Sequence, residues 1–434
     1  MDKRLYNVNM LGLSFMFILA ANQAMGNIAK TLLSSVQRDY PLFTGDGYIS
    51  LSITYFVFAL ANWIAPSIVN FTGCKIAMII GAICYTMFLV SYLWLTTFIL
   101  YFMSAIQGFG AAILWTAQGT YLTLNSDPST MSRNTGIFWT ISNISMLLGN
   151  AFVSYALRDK SDFDDSTRTF IYIVLIIVSA FGTLLFLFLR SPVNQEGTLN
   201  ERVEIISFTQ EIKNTMSLFL TKDMRLLNIT FFFTGLSLSF YSSVYSSSIG
   251  FTKRMGFNSK QLVGLSGLFI GIGEILGGLI FSILGQKTSD NNTTIKGLSH
   301  SAVIAIGFIV NIITYGLIII NLPDDSPFGD TTASSYINPN QYLAIFCSFL
   351  LGFGDSCFNT QLYNIIGLKY PENSAPPMAL FNSMESIAAS ISFYYSNYFG
   401  IHFQLILLMV SSTVAALAFF KVEESSDKRY YEAI

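Results

Sequence analysis

The stretch Tyr342–Leu368, YLAIFCSFLLGFGDSCFNTQLYNIIGL, decides the fold. It is an apolar run long enough to cross a bilayer, which takes roughly 20 residues. Midway it carries the octet Gly354-Asp355-Ser356-Cys357-Phe358-Asn359-Thr360-Gln361. An acid, two amides and two hydroxyls therefore fall near the membrane midplane. An ionisable group at that depth costs about 3 kcal/mol or more, so such groups are rare and mark function.

The whole chain extends this pattern. Its 434 residues are 52% hydrophobic, 15% aromatic and only 11% charged, with a mean hydropathy of +0.54. Soluble domains carry about 25% charged residues. Apolar runs near 8–34, 47–69, 76–96, 98–124, 133–157, 169–189, 226–251, 260–285, 297–321, 341–368, 375–398 and 400–420 predict twelve spans in a lipid bilayer. No loop between them holds a soluble domain. The first run is too long for a cleavable signal and no small-residue cleavage site follows it. The net charge of −2 points to no nucleic-acid partner. Cys74, Cys84, Cys347 and Cys357 all lie in or beside spans, which argues against a disulfide or a cysteine metal site.

Basic residues concentrate on the cytoplasmic side of membrane proteins. Placing the N-terminus inside puts fifteen of the 23 Lys and Arg on inner segments and eight at outer ends. Both termini are then cytoplasmic. The longest inner segment divides the chain into a six-span half (1–190), a linker (191–225) and a second six-span half with a short tail (226–434). In the linker, Ile205, Phe208, Ile212, Met216 and Phe219 recur at helical spacing. They predict an amphipathic helix on the inner membrane face or against the inner mouth of the bundle. The halves echo each other at an offset of 243 residues, Gln118 with Gln361 and Phe138 with Phe381.

The polar groups inside spans divide unevenly. Gln23, Asn27, Lys30 and Ser34 share one face of span one, and Gln107 and Gln118 share one face of span four. Span five adds Asn143 and Asn150. The C-terminal half instead offers three carboxyl groups at mid-depth, Glu274, Asp355 and Glu385, with no Lys or Arg at that depth. An acid desolvated without a cationic partner takes up a proton more readily than it stays charged. Such groups suit proton or cation coupling and disfavour an anionic substrate. They also serve as hydrogen-bond donors between helices. Glu274 lies on a stripe with Gly264, Gly267, Gly271 and Gly278, whose small side chains let another helix approach closely. Glu274, Gly267, Gly271 and Gly278 are therefore read as a packing seam.

Other signals bound the chemistry. There is no Gly-x-x-x-x-Gly-Lys-Ser/Thr loop for ATP, no His-Glu-x-x-His and no dinucleotide fingerprint. No nucleophile–base pair or metal cluster stands out, so neither an enzyme nor a cofactor is expected. Asn291-Asn292-Thr293-Thr294 holds two overlapping glycosylation sequons in a loop read as inner. Tyr431-Glu432-Ala433-Ile434 fits a tyrosine sorting pattern, and the compartment is either the plasma membrane or an endolysosomal membrane.

Several stretches together resemble the Unc-93-like family. They are Asn9-Met-Leu-Gly-Leu-Ser-Phe15, Trp115-Thr-Ala-Gln-Gly119, Arg133-Asn-Thr-Gly-Ile-Phe-Trp139, Leu265-Ser-Gly-Leu-Phe-Ile-Gly-Ile-Gly-Glu-Ile-Leu-Gly-Gly278, Leu351-Gly-Phe-Gly-Asp-Ser-Cys-Phe-Asn-Thr-Gln361 and Phe393-Tyr-Tyr-Ser-Asn-Tyr398. The likeness runs from about residue 5 to 422. It implies an all-α major facilitator superfamily fold of twelve transmembrane helices in two six-helix halves. In that arrangement spans one, four, seven and ten line a cavity. Spans two, five, eight and eleven form the seam, and the rest face lipid.

The resemblance leaves function divided. Members of the family include a potassium-channel accessory subunit and a trafficking chaperone for innate immune receptors, and fold alone does not choose. Typical major facilitator transporters carry a Gly-x-x-x-Asp-x-x-Gly-Arg-type loop after span two. Here it reads Pro66-Ser-Ile-Val-Asn70-Phe-Thr-Gly73-Cys-Lys75, and the loop near Gly285-Gln286-Lys287 is equally reduced. One expectation is a secondary transporter that binds a small neutral or cationic solute among Gln23, Asn27, Gln118, Asp355, Asn359 and Gln361. Asp355 or Glu385 would carry a coupling proton. The other is a non-transporting accessory or trafficking subunit of a membrane-protein partner, an ion channel or a receptor.

Overall fold

The computed structural model describes residues 3–127, 130–191, 215–256, 258–284, 288–290, 293–295, 298–370 and 375–432. Within them the chain is almost wholly helical. The first group is α1 (Lys3–Asp39), α2 (Gly47–Ala61), α3 (Ala65–Thr72), α4 (Cys74–Val90), α5 (Thr97–Leu124), α6 (Met131–Ala156) and α7 (Asp165–Leu185). The second begins with α8 (Lys222–Ser239), a π-helical turn at Phe240–Val244 and α9 (Tyr245–Phe251). It continues with α10 (Ser259–Leu284), α11 (His300–Asn321), α12 (Gln341–Lys369), α13 (Ala375–Tyr395) and α14 (Ile401–Glu432). Thr288–Asp290 and Thr293–Ile295 form a short antiparallel pair where the sequence suggested only a loop.

Side-chain caps start many of these helices, as expected for orphan N–H groups at helix N-termini. Asp46, Thr96, Asp164, Ser299 and Asn340 accept from the first turns of α2, α5, α7, α11 and α12. Pro376 and Pro377 lie in the first turn of α13, where the missing N–H is harmless.

Nine helices among the described residues are long and apolar enough to cross a membrane, or ten if α2 and α3 make one bent span. The protein is an integral multi-pass membrane protein. The run 47–69, read from sequence as one span, is bent by 68° between α2 and α3. Pro66 explains it, because a proline excludes the preceding residues from a continuous helix. The runs read as spans seven and eleven are helical too, but α8–α9 and α13 are not among those ten. Of the linker helix, Ile205, Phe208 and Ile212 lie outside the described residues, as do Asn291, Asn292 and the loop 285–287.

Helices within 3–190 pack chiefly on one another, as do those within 222–432. The two groups meet along α6 with α10 and α2 with α13. Exposed apolar stripes at three- and four-residue steps cover the outside. Ile76, Ile80, Ile83 and Met87 form one on α4; Ile173, Ile177 and Leu184 form one on α7. Ile406, Val410, Val414 and Leu417 do the same on α14. Such stripes are the surface that lipid covers.

The end of the bundle that holds residue 3 is called here the near face. Asn7, Asn125 and Arg190 are linked there, and Lys75 donates to the carbonyls of Leu187 (2.7 Å) and Leu189 (2.8 Å). That gives the lone cation of the reduced loop a defined task at a helix C-terminus.

Candidate functional site

A cavity of about 820 Å³ lies between the two helix groups. One wall comes from the C-terminal group. Glu274 projects from α10, Asp355 and Asn359 from α12, Glu385 from α13 and Tyr241 from the π-turn, and all line the cavity. Asp355 and Asn359, four residues apart on one helix face, are linked by a bond from Asn359 Nδ2 to Asp355 Oδ2 of 2.8 Å. The Tyr241 hydroxyl donates to the same Oδ2 at 3.3 Å. Among the described residues no Lys, Arg or His lies within ion-pair distance of any of the three acids.

The opposite wall is built of neutral amides. Gln107 Nε2 donates to Asn22 Oδ1 at 3.1 Å, and Ser145 Oγ donates to Gln23 Oε1 at 2.9 Å. Asn27 Nδ2 donates to Asn150 Oδ1 at 2.8 Å and to the Val263 carbonyl at 3.0 Å. The second of these bonds crosses between the helix groups. Aromatic rings complete the lining. Trp115 and Trp139 stack at 5.8 Å, and Trp139 approaches Tyr363 of the other group at 6.4 Å. Tyr55 meets Phe393 across the same divide at 5.6 Å.

Six of the seven residues expected to form a substrate or coupling site line this one cavity: Gln23, Asn27, Asp355, Asn359, Gln361 and Glu385. Gln361 is engaged, its Oε1 accepting from His300 Nδ1 at 2.6 Å. Gln118 is buried but does not line the cavity. It shares a helix face with Gln107, yet eleven residues set it about 16 Å further along the axis. Gln107 therefore reaches the cavity and Gln118 does not.

The seam residues separate in the same way. A Cβ on Gly267 would overlap the Asn150 side chain, and one on Gly271 would come within 2.9 Å of Met146 Cβ, so α10 touches α6 there. Gly278 faces Ser356 of α12 instead, and Glu274 opens onto the cavity. Tyr55, Tyr241 and Trp139 gave no sequence signal as site residues, because an aromatic in a span reads as ordinary packing.

The face opposite residue 3, the far face, is tied across the two groups. Lys30, only 6% exposed, donates to Asp46 Oδ2 at 2.5 Å and to Asn397 Oδ1 at 2.7 Å. Asn397 Nδ2 returns to Asp46 Oδ1 at 3.0 Å. The Lys30 ammonium also lies 4.6 Å from the Tyr48 ring centre. Ser52 and Ser390 exchange hydrogen bonds of 2.8 and 2.9 Å, and Arg38 pairs with Asp330 at 3.7 Å. Lys30 was grouped by sequence with Gln23 and Asn27 on one face, but it belongs to this closure. The cavity lining continues the other way, to Thr135 in the first turns of α6 and Asn364 in the last turns of α12.

Comparison with known proteins gives a consistent picture. Residues 42–420 match the family model UNC-93, described as ion channel regulatory protein UNC-93. The chain is 37% identical to the UNC93-like protein MFSD11 of Xenopus tropicalis, over 99% of this chain and 98% of that one. It is 25% identical to UNC93-like protein 3 of Arabidopsis thaliana, over 93% and 83%. It is 23% identical to protein unc-93 homolog A of Homo sapiens, over 98% and 94%. Among solved structures it resembles the nucleoside transporter NupG, with a TM-score of 0.67 and 14% identity over 95% of this chain and 99% of that one. That likeness identifies the fold as the major facilitator type.

Proposed function

We propose that this chain, which belongs to the UNC-93 family, is a secondary transporter of a small neutral or cationic solute. On this reading twelve helices form two six-span halves, 1–190 and 226–434, joined by the linker 191–225. The halves rock about the α6–α10 and α2–α13 seams and expose the cavity to each side in turn. The observation that carries the reading is the cavity itself. Amides from one half and carboxyls from the other converge on a space of about 820 Å³, within the roughly 300–1,000 Å³ of small-molecule sites.

The far-face links around Lys30, Asp46 and Asn397 support a state closed on that side. With the basic bias of the inner segments, that side is extracellular or lumenal and both termini are cytoplasmic. Asp355 or Glu385 carries the coupling proton, since neither has a cationic partner among the described residues to hold it charged. The test is uptake into proteoliposomes of purified protein, screened across solutes under an imposed pH gradient. Saturable uptake that collapses in Asp355→Asn supports the assignment. Uptake untouched by that change removes Asp355 from the mechanism.

A second reading is favoured by the description of the matching family as ion channel regulators. The chain would then bind a membrane-protein partner, with its intramembrane acids meeting a basic residue of that partner. Affinity capture in mild detergent from native tissue should return a stoichiometric channel or receptor subunit. Capture of none argues for transport.

A further inference from the structure

We propose that the cavity selects an organic monocation with a flat aromatic body and exchanges it for protons. The proposal rests on the transport reading and names the substrate class of that same site.

The first ground is charge. Glu274, Asp355 and Glu385 come from three different helices into one space. The buried cations nearest to the divide are committed elsewhere, Lys30 to Asp46 and Lys260 to Asp330. The other titratable groups around the acids are the Tyr55, Tyr241, Tyr315 and Tyr363 phenols and the Cys357 thiol, none of which supplies positive charge. A buried carboxylate persists only when a proton or a cation neutralises it.

The second ground is unsatisfied acceptors. Both hydrogen bonds to Asp355, a residue 94% buried by its 6% exposure, end on Oδ2. Its Oδ1 makes none among the described residues. Asn27 is 3% exposed and lines the cavity, and its Oδ1 likewise has no partner. Acceptors without donors call for a ligand that donates or carries positive charge. The third ground is shape: Trp115, Trp139 and Tyr363 line the same cavity as the acids, and aromatic rings attract cations and flat apolar bodies.

Exchange follows from charge balance. The empty cavity is neutralised by protons. A ligand of charge +1 that binds releases one proton, and the carboxylate it leaves pairs with the ligand. Lower pH therefore weakens binding, and a proton gradient drives the cation the opposite way.

The test uses full-length protein in nanodiscs and radiolabelled 1-methyl-4-phenylpyridinium. Its competitors are 4-phenylpyridine (neutral at pH 8), tetramethylammonium (charge without rings) and biphenyl-4-carboxylate (an anion). The expected result is binding of the pyridinium at least about tenfold tighter than any competitor, a difference of roughly 1.4 kcal/mol. Affinity should fall between pH 8 and 6, and fall again in Asp355→Asn and in Trp139→Leu. The wild-type series stands whether or not a variant folds. No pyridinium binding, or equal or tighter binding of the neutral or anionic probe, overturns the proposal. Saturable liposome uptake of neutral solutes with no preference for the cation overturns it and leaves transport intact. Cation-selective binding without uptake retains the ligand class and overturns both exchange and transport.

Discussion

Replacing Asn397 with alanine is the sharpest probe of the far-face closure. The amide makes two inter-half bonds, 2.7 Å from Lys30 Nζ and 3.0 Å to Asp46 Oδ1. Each involves a charged group, and such bonds contribute about 1.5–3 kcal/mol net. Asn397 is half-buried at the rim, so water entering there recovers part of both. A loss of about 1.5 kcal/mol to the closed state remains, close to a tenfold change in the ratio of closed to open molecules. The Lys30–Asp46 pair, the Ser52–Ser390 bonds and Arg38–Asp330 survive the change, so the variant should still fold. Spin labels at Tyr40→Cys and Tyr336→Cys, 53% and 78% exposed on opposite groups, would report the far-face gap. The background would carry serine at Cys74 and Cys84. Pulsed dipolar spectroscopy should show the longer-distance population rising about tenfold relative to the shorter. An unchanged distance distribution in a folded variant would refute the assignment of this cluster as a closure.

Three further outcomes are expected. Gly267→Val drives a branched side chain into Asn150 and Asn27, so thermal unfolding in detergent should show a loss of about 1–3 kcal/mol. An unaltered midpoint would mean that α10 and α6 are not held at that distance. Lys75→Met removes two donors from the end of α7, and a loss of about 1 kcal/mol should appear as faster amide exchange near residues 186–190. Two far-face carboxyls set an acid limit. A hydrogen bond from Thr167 and the nearby Lys160 hold Asp164 down at about 2. Burial would push Asp330 up, but Lys260 and Lys253 outweigh it and keep it below the usual range. Both are depressed in the folded state. Their stabilisation is present above the unfolded value of about 4 and is lost as pH falls through the folded value. Melting temperature should drop between about pH 4 and 2, and less steeply in Asp164→Asn/Asp330→Asn. Equal slopes would remove these groups from acid unfolding.

Much of this was legible because hydrocarbon penalises polar groups so strongly that the exceptions stand out. Asp355, Glu385, Gln23 and Asn27 could be picked from apolar runs by that rule alone, and they line one cavity. Depth was less legible than face. Helical periodicity set Gln107 and Gln118 on one side of α5 but says nothing about how far along the axis a cavity extends. Lys30 shows the same limit, lying two turns beyond Gln23 on the same stripe but in another environment. The bend after Ala61 was signalled by Pro66, which hydropathy averaging hides. Tyr241 had no signal, because its role depends on a π-turn and on a helix more than a hundred residues away.

The bent pair α2–α3 also alters how the protein meets its membrane. Fifteen residues of α2 reach about 22 Å, short of a hydrocarbon layer about 30 Å thick. α2 alone therefore falls short of a full crossing, and α3 runs off at 68° with Phe71 91% exposed at its end. A helix turned that far from α2 does not continue the crossing in the same direction. α2 packs on α13 at the seam while α3 packs back on α4 and α5 of its own group, so the bend separates a length of chain that serves the seam from one that stays with its own half.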